Sequence, residues 1–351
     1  MVLKLKVLPA TIGDCILISF GDQDYEKNIL VDGGIGFKCI KMLKEEIRSI
    51  KEKNQYIDLL IITHVDDDHI SGILKIFEDQ SIDKSIIKKV WFNSGKVMSQ
   101  LFREKPSGDC EIPLLLNDTT EMSLVDGISL EKALDSLGLL SEQIIKAGDS
   151  YEMFGGKFTI LSPDIKKITR LYSKWEEAEA KNAEMSGGND YSIPLDILKK
   201  KRFLADSSFH NASSIAFIFE YKNKSILMLA DSIPSIVSKY LGLHNAKEKK
   251  EKSIIDVTKV AHHGSGKNTN YKILDLIDCS NFIISTDGSQ NGHPNKVCLA
   301  RIISSVNNNE NKAHLYFNYE INNIFLEEDH RDYSFTCNDI SLANYEYIVE
   351  E

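Results

Sequence analysis

Ile57-Asp58-Leu59-Leu60-Ile61-Ile62-Thr63-His64-Val65-Asp66-Asp67-Asp68-His69 is the stretch on which the fold turns. Ile57 to Ile62 is an apolar run that reads as a buried strand, and a helical pattern follows from Ile70. Between them, His64, Asp66, Asp68 and His69 stand within six residues. A strand end that runs into a helix start turns the backbone sharply, so alternate side chains can enter one pocket. Imidazole and carboxylate are the ligands that borderline and hard divalent cations take. The plainer alternative is an acidic surface loop with two incidental histidines. Orderly spacing directly after an apolar strand argues against it.

Outward from this stretch, the chain repeats the theme. Before it lie strand patterns at Leu3-Leu5-Val7, Cys15 to Phe20 and Asn28 to Val31, the last ending in Asp32-Gly33-Gly34. A helix with Ile40, Leu43, Ile47 and Ile50 on one face covers 37–53. Beyond it, a hairpin at 213–230 turns at Lys222-Asn223-Lys224 and ends at Asp231. A carboxylate at the end of a buried strand needs a partner or a cation to offset its desolvation, although Asp231 could also cap the helix at 233–242. A strand at 254–260 meets His262-His263-Gly264-Ser265. The pair suits one ligand and one neighbour facing a substrate. His293-Pro294 offers a loop histidine for metal or substrate, or one of no consequence. Two similar halves, each with strands followed by a strand–loop–helix unit, predict two sheets packed face to face with helices outside. A doubly wound parallel sheet does not suit the hairpin-rich opening.

The chain has 351 residues, 42 Lys and Arg against 52 Asp and Glu, and a net charge of −10. Of that, −7 falls in 301–351, which holds three basic and ten acidic residues. Such a balance makes a poor generic DNA coater. It does not exclude a nucleic-acid enzyme, because cations and clusters such as Lys199-Lys200-Lys201-Arg202 supply local positive field. No apolar run reaches the about eighteen residues of a membrane span. The opening residues carry no signal-peptide pattern. The six cysteines lack any Cys-x-x-Cys pair. The expected compartment is therefore a reducing cytoplasm, with no membrane association.

Taken in order, these landmarks resemble the metallo-β-lactamase superfamily, and within it the hydrolase domain of ComEC-type DNA-uptake proteins and their stand-alone relatives. Gly13-Asp14-Cys15, Asp32-Gly33-Gly34, Thr63 to Gly72, Asn211-Ala212-Ser213-Ser214, Asp231, His262 to Ser265 and His293-Pro294 carry the resemblance. It covers roughly residues 3–305. Asp66 stands where the superfamily's His-x-His-x-Asp-His has its second His, and Asn211 near its third-site His.

The resemblance implies an α/β fold, the four-layer αββα sandwich with helical insertions. A domain over 1–310 would carry insertions near 95–145 and 165–205, and an acidic extension over 311–351 would pack on or beside it. Two divalent cations, zinc or manganese, would be held at one edge. His64 and Asp66 would serve one, and Asp68, His69 and His263 the other, with Asp231 bridging. His262 and His293 would face the substrate, stabilising phosphate charge or protonating the leaving oxygen. Asp32, Asn211, Ser214 and Ser265 would support the ligands or touch substrate, and His210 is an additional ligand candidate. The implied reaction is hydrolysis of a DNA or RNA phosphodiester by a hydroxide bridging the two metals, in a bacterial defence or DNA-processing setting. The alternatives are a small-molecule phosphodiester hydrolase of the phosphorylcholine-esterase type, or a regulatory module docking protein partners through the insertions or acidic tail.

Overall fold

The computed structural model describes residues 2–22, 25–103, 120–175, 189–206, 208 and 210–349. The loop expected at Gly187-Gly188 and the central parts of both expected insertions, 104–119 and 176–188, lie outside them.

The first half runs β1 (Val2–Val7), β2 (Ile16–Gly21), β3 (Lys27–Val31), α1 (Phe37–Glu52), β4 (Ile57–Ile61), α2 (Asp67–Glu78), β5 (Val90–Trp91), α3 (Gly95–Arg103) and α4 (Thr120–Ser136). It continues through β6 (Ser150–Met153), β7 (Gly156–Ser162), α5 (Ile165–Trp175), α6 (Leu195–Leu198), β8 (Ala216–Tyr221), β9 (Lys224–Met228), α7 (Pro234–Lys247), β10 (Ser253–Ile254) and β11 (Val257–Lys259). Last come α8 (Tyr271–Leu274), β12 (Ile277–Asp278), β13 (Asn281–Ile284), α9 (Lys296–Asn308), β14 (Ala313–Phe317), α10 (Glu327–Asp332), β15 (Phe335–Asp339) and β16 (Glu346–Ile348).

Two sheets result. One has the order β16-β1-β2-β3-β4-β5, the other β15-β14-β13-β11-β9-β8-β7-β6. Side-chain alternation explains their stacking. Leu59 and Ile61 point into the layer between the sheets, where Ile18, Phe20, Phe158, Phe217, Phe219 and Met228 meet them. Leu60 and Ile62 point the other way, into a core shared with Leu43 and Ile47 of α1 and Ile73 of α2. On the far face of the second sheet, Leu227, Phe282 and Ile284 pack under Val237, Leu241, Leu299 and Ile303 of α7 and α9. The expected αββα sandwich is the observed architecture. Each fully buried Leu, Ile or Phe contributes about 1.5–3 kcal/mol of transfer free energy, so the double-faced strands anchor the site.

Two local readings shift. The helix after the metal-type motif begins at Asp67, three residues before the expected Ile70. Asp67 and Asp68 occupy its first turn, where carboxylates meet the positive end of the helix dipole. The segment after 310 is woven into both sheets: β14 and β15 extend the second in parallel, and β16 pairs antiparallel with β1. Among the described residues no helix is long and apolar enough to cross a membrane.

Candidate metal centre

The site lies where β4, β9, β11 and β13 end. Asp32, just past β3, has a left-handed φ of 57°. Its carboxylate accepts from the Thr63 backbone N–H at 2.8 Å, from the Thr63 hydroxyl at 2.7 Å, and sits 2.8 Å from His69 Nδ1. It thus sets both the loop that leaves β4 and the ring plane of His69. Gly13 brings the N-terminal loop onto the same motif. A Cβ at Gly13 would lie 1.7 Å from the Asp68 carbonyl oxygen, so only glycine allows this approach.

The second half supplies the opposing wall. His262 and His263 both adopt left-handed backbone, with φ of 46° and 54°. That conformation is uncommon for residues other than glycine, and it turns two consecutive rings toward the site. His263 Nδ1 lies 2.9 Å from the Ser285 carbonyl oxygen, which leaves Nε2 facing inward. Behind it, the buried Asp14 carboxylate is 3.7 Å from His263 Nδ1 and 2.5 Å from the buried Lys259 ammonium.

What converges on the cavity is a set of nitrogen–oxygen separations too long for hydrogen bonds and right for two ligands sharing one ion. His64 Nε2 is 3.4 Å from Asp66 Oδ2. Asp68 Oδ2 is 3.7 Å from His69 Nε2 and 3.5 Å from His263 Nε2. Asp231 Oδ1 is 3.6 Å from His69 Nε2 and 3.7 Å from His263 Nε2, while its Oδ2 is 3.5 Å from His262 Nε2. Ligand atoms of His64, His69 and Asp231 form one compact group, and those of Asp68, His69 and His263 another. The fit to cations is direct. His64 Nε2, His69 Nε2, His263 Nε2 and Asp231 Oδ1 are buried with no hydrogen-bond partner among the described residues. Four such polar atoms facing one another are costly unless something positive lies between them.

The fields agree. Burial opposes charge on His69, yet Asp68, Asp231 and Asp32 outweigh it and hold its pKa well above the ordinary value. Burial opposes charge on Asp231 too, and the surrounding histidines hold its carboxyl low. His262 is raised to about 9, against burial, by Asp231 and Asp206. His293 is pushed down to about 3 by burial and by the charges of His262 and His263.

Each expected site residue has a definite place. His64, Asp66, Asp68, His69, Asp231 and His263 line the cavity at the distances above. His293 sits beside them, its ring 5.2 Å from that of His262. His210 turns Nδ1 to Asp66 Oδ1 at 2.8 Å, which draws the Asp66 carboxylate away from capping α2. Asn211 reaches His262 Nδ1 at 3.3 Å. Ser265 is engaged in its own turn, its N–H donating to the His262 carbonyl. Ser214 is fully buried, and its hydroxyl has no hydrogen-bond partner among the described residues. Asp206 and Asn268 were not singled out by sequence, yet both contact His262. Asp206 meets a ring far along the chain, and Asn268 lies just past the His262–Ser265 landmark, so no local motif marks either.

Residues 8–143 match the family model "Metallo-beta-lactamase superfamily", whose members are generally metal-dependent hydrolases. No curated protein matches. Among solved structures, a CmlA beta-hydroxylase mutant is 12% identical with a TM-score of 0.42, covering 90% of this chain and 52% of its own. A beta-lactamase domain protein from Burkholderia ambifaria is 11% identical with a TM-score of 0.31, covering 69% and 60%. Zn(2+)-bound PqqB from Methylobacterium extorquens is 9% identical with a TM-score of 0.39, covering 96% and 98%. The chain thus spans about half the length of the first of these. Residues 8–143 match the metallo-beta-lactamase superfamily model, and the αββα sandwich observed is in keeping with that match.

Proposed function

We propose that this chain is a metal-dependent hydrolase of phosphodiester bonds, acting on DNA or RNA. The carrying observation is the ring of three aspartates and three histidines, His64, Asp66, Asp68, His69, Asp231 and His263, with inward atoms 3.4–3.7 Å apart. Half of those donors are carboxylates, so the site is oxygen-rich and favours zinc or manganese. Two such cations, when bound, activate water at neutral pH and withdraw charge from phosphoryl oxygens.

The chain's own groups do the rest. Asp32 and the Ser285 carbonyl fix the rings of His69 and His263, so their Nε2 atoms do not swing on loading. Asp68 and Asp231 lie between the histidines and would help hold the cations. His262 lies at the mouth with its ring partly exposed, positioned to bind a phosphoryl oxygen or deliver a proton to the leaving oxygen. His293 stands against it as a second, buried ring.

A digestion panel tests the reading. Single- and double-stranded DNA, RNA and a chromogenic phosphodiester are offered with Mn²⁺, Zn²⁺ or Mg²⁺, with Asp68→Ala as control. Cleavage of nucleic acid that needs metal and Asp68 supports the proposal. Cleavage of none of these with any metal refutes it.

A further inference from the structure

His262 is surrounded on its Nδ1 side by three polar groups, Asp206 and Asn211 from one segment and Asn268 from the turn that follows the ring itself. Asn268 Oδ1 is 3.2 Å away, Asn211 Nδ2 3.3 Å, and Asp206 Oδ2 3.5 Å. The orientation of the Asn268 amide is fixed by its other contacts. Its Nδ2 donates to Asp206 Oδ2 at 3.1 Å and to the backbone carbonyls of Asp231 and Ser232 at 3.3 Å. The Asn268 oxygen must therefore face His262. The Asn211 amide nitrogen donates one of its two hydrogens to Asp206 Oδ2 at 2.7 Å. Every acceptor next to Nδ1 is thus an oxygen, and Asp206 collects both amides that frame it. Asp206 is itself pinned: its Oδ1 accepts from the Ser208 N–H at 2.8 Å, and its own N–H donates to the Lys267 carbonyl at 3.1 Å.

We propose that Asp206, carried by the segment between β7 and β8, is the positioning residue of His262. It organises Asn211 and Asn268, keeps the ring proton on Nδ1, and turns Nε2 toward Asp231 and the substrate mouth. The inference rests on the reading of His262 as the substrate-facing imidazole. Asp32 does the same for His69 by direct contact at 2.8 Å, whereas Asp206, 3.5 Å from His262 Nδ1, acts chiefly through the Asn268 amide it orients, whose oxygen is 3.2 Å from that nitrogen. The arrangement also gives that segment a task at the site, since its carboxylate reaches a ring on the turn after β11.

The test uses the full chain loaded with zinc, with wild type, Asp206→Asn, Asp206→Ala, Asp206→Glu and His262→Ala. Long-range proton–nitrogen spectra of the imidazoles report the tautomer without turnover, and metal content and melting temperature are read alongside. In Asp206→Asn and Asp206→Ala the His262 Nδ1–H signal should move or vanish while those of His69 and His263 stay. Metal content should hold, and kcat should drop about 10- to 100-fold. The drop should not deepen in combination with His262→Ala, and Asp206→Glu should recover part of it. An unchanged His262 signal, a loss that multiplies with that of His262→Ala, or a lost metal ion would each overturn the assignment. Absence of any hydrolysis by wild type would sink the phosphodiester reading alone, because the imidazole spectra would still decide the role of Asp206.

Discussion

Lys259 Nζ lies 2.5 Å from Asp14 Oδ2, both side chains buried at the base of the metal-type cavity. The pair joins β11 to the N-terminal loop and stands behind His263. Burial alone would raise the Asp14 carboxyl, but Lys259, His263 and His69 hold it below the ordinary carboxylate range. Removing the ammonium strands a buried anion. Lys259→Met should destabilise the fold by about 3–5 kcal/mol, and Lys259→Met with Asp14→Leu should recover much of that. Urea unfolding at neutral pH measures both. A double variant no better than the single would contradict the pairing. The folded carboxyl binds its proton less tightly than the unfolded one. This contribution is therefore complete above the unfolded value of about 4 and is lost as pH falls through the lower folded value.

Gly13 sits so close to the motif that its size becomes a constraint on metal binding. A methyl group there would lie 1.7 Å from the Asp68 carbonyl oxygen and must displace Asp68 or the loop. Gly13→Ala should lower metal content and melting temperature together. Gly242→Ala, inside α7 with a Leu276 methyl 3.9 Å away, should leave metal content unchanged and the melting temperature equal or slightly higher, and serves as the control. Equal behaviour of the two variants would show that the close approach is not maintained in solution.

Asp32 should matter to affinity rather than to ligand count. Its carboxylate touches His69 Nδ1 and the Thr63 N–H and hydroxyl but not the inward atoms. Asp32→Asn should weaken metal binding about 10- to 100-fold with the same final stoichiometry. Titration calorimetry with zinc checks this, and wild-type affinity would remove Asp32 from the design.

The segment after 310 behaves as part of the sandwich. Leu315 and Phe317 are buried in the second sheet's outer core, and β16 covers the edge of β1. Truncation after Glu310 should leave two unpaired sheet edges and yield aggregated or unfolded chain. A monomeric truncation with native circular dichroism would refute that.

The apolar strand at 57–62 could be read directly because it is buried on both faces, and no surface strand would tolerate Leu59, Leu60, Ile61 and Ile62 in succession. The four ligand-type residues that follow were legible for the same reason: a strand end fixes where they go. The start of α2 was misplaced because apolar periodicity begins at Ile70, whereas the dipole admits Asp67 and Asp68 a turn earlier. The tail resisted reading because its strands are short and their partners distant; β16 pairs with β1 from the opposite end of the chain. Asp206 left no trace because an aspartate in a polar loop acquires meaning only from the ring it meets.

The proposed hydrolase needs side chains from both halves of the chain to hold a pair of divalent cations. Metal content of protein loaded with zinc or manganese and then freed of excess ions tests this most directly, with wild type beside Asp231→Ala. Two ions per wild-type chain should be found, with at least one lost in Asp231→Ala while circular dichroism stays native. A folded wild-type chain that retains no ion, or an Asp231→Ala chain that keeps both, would contradict it.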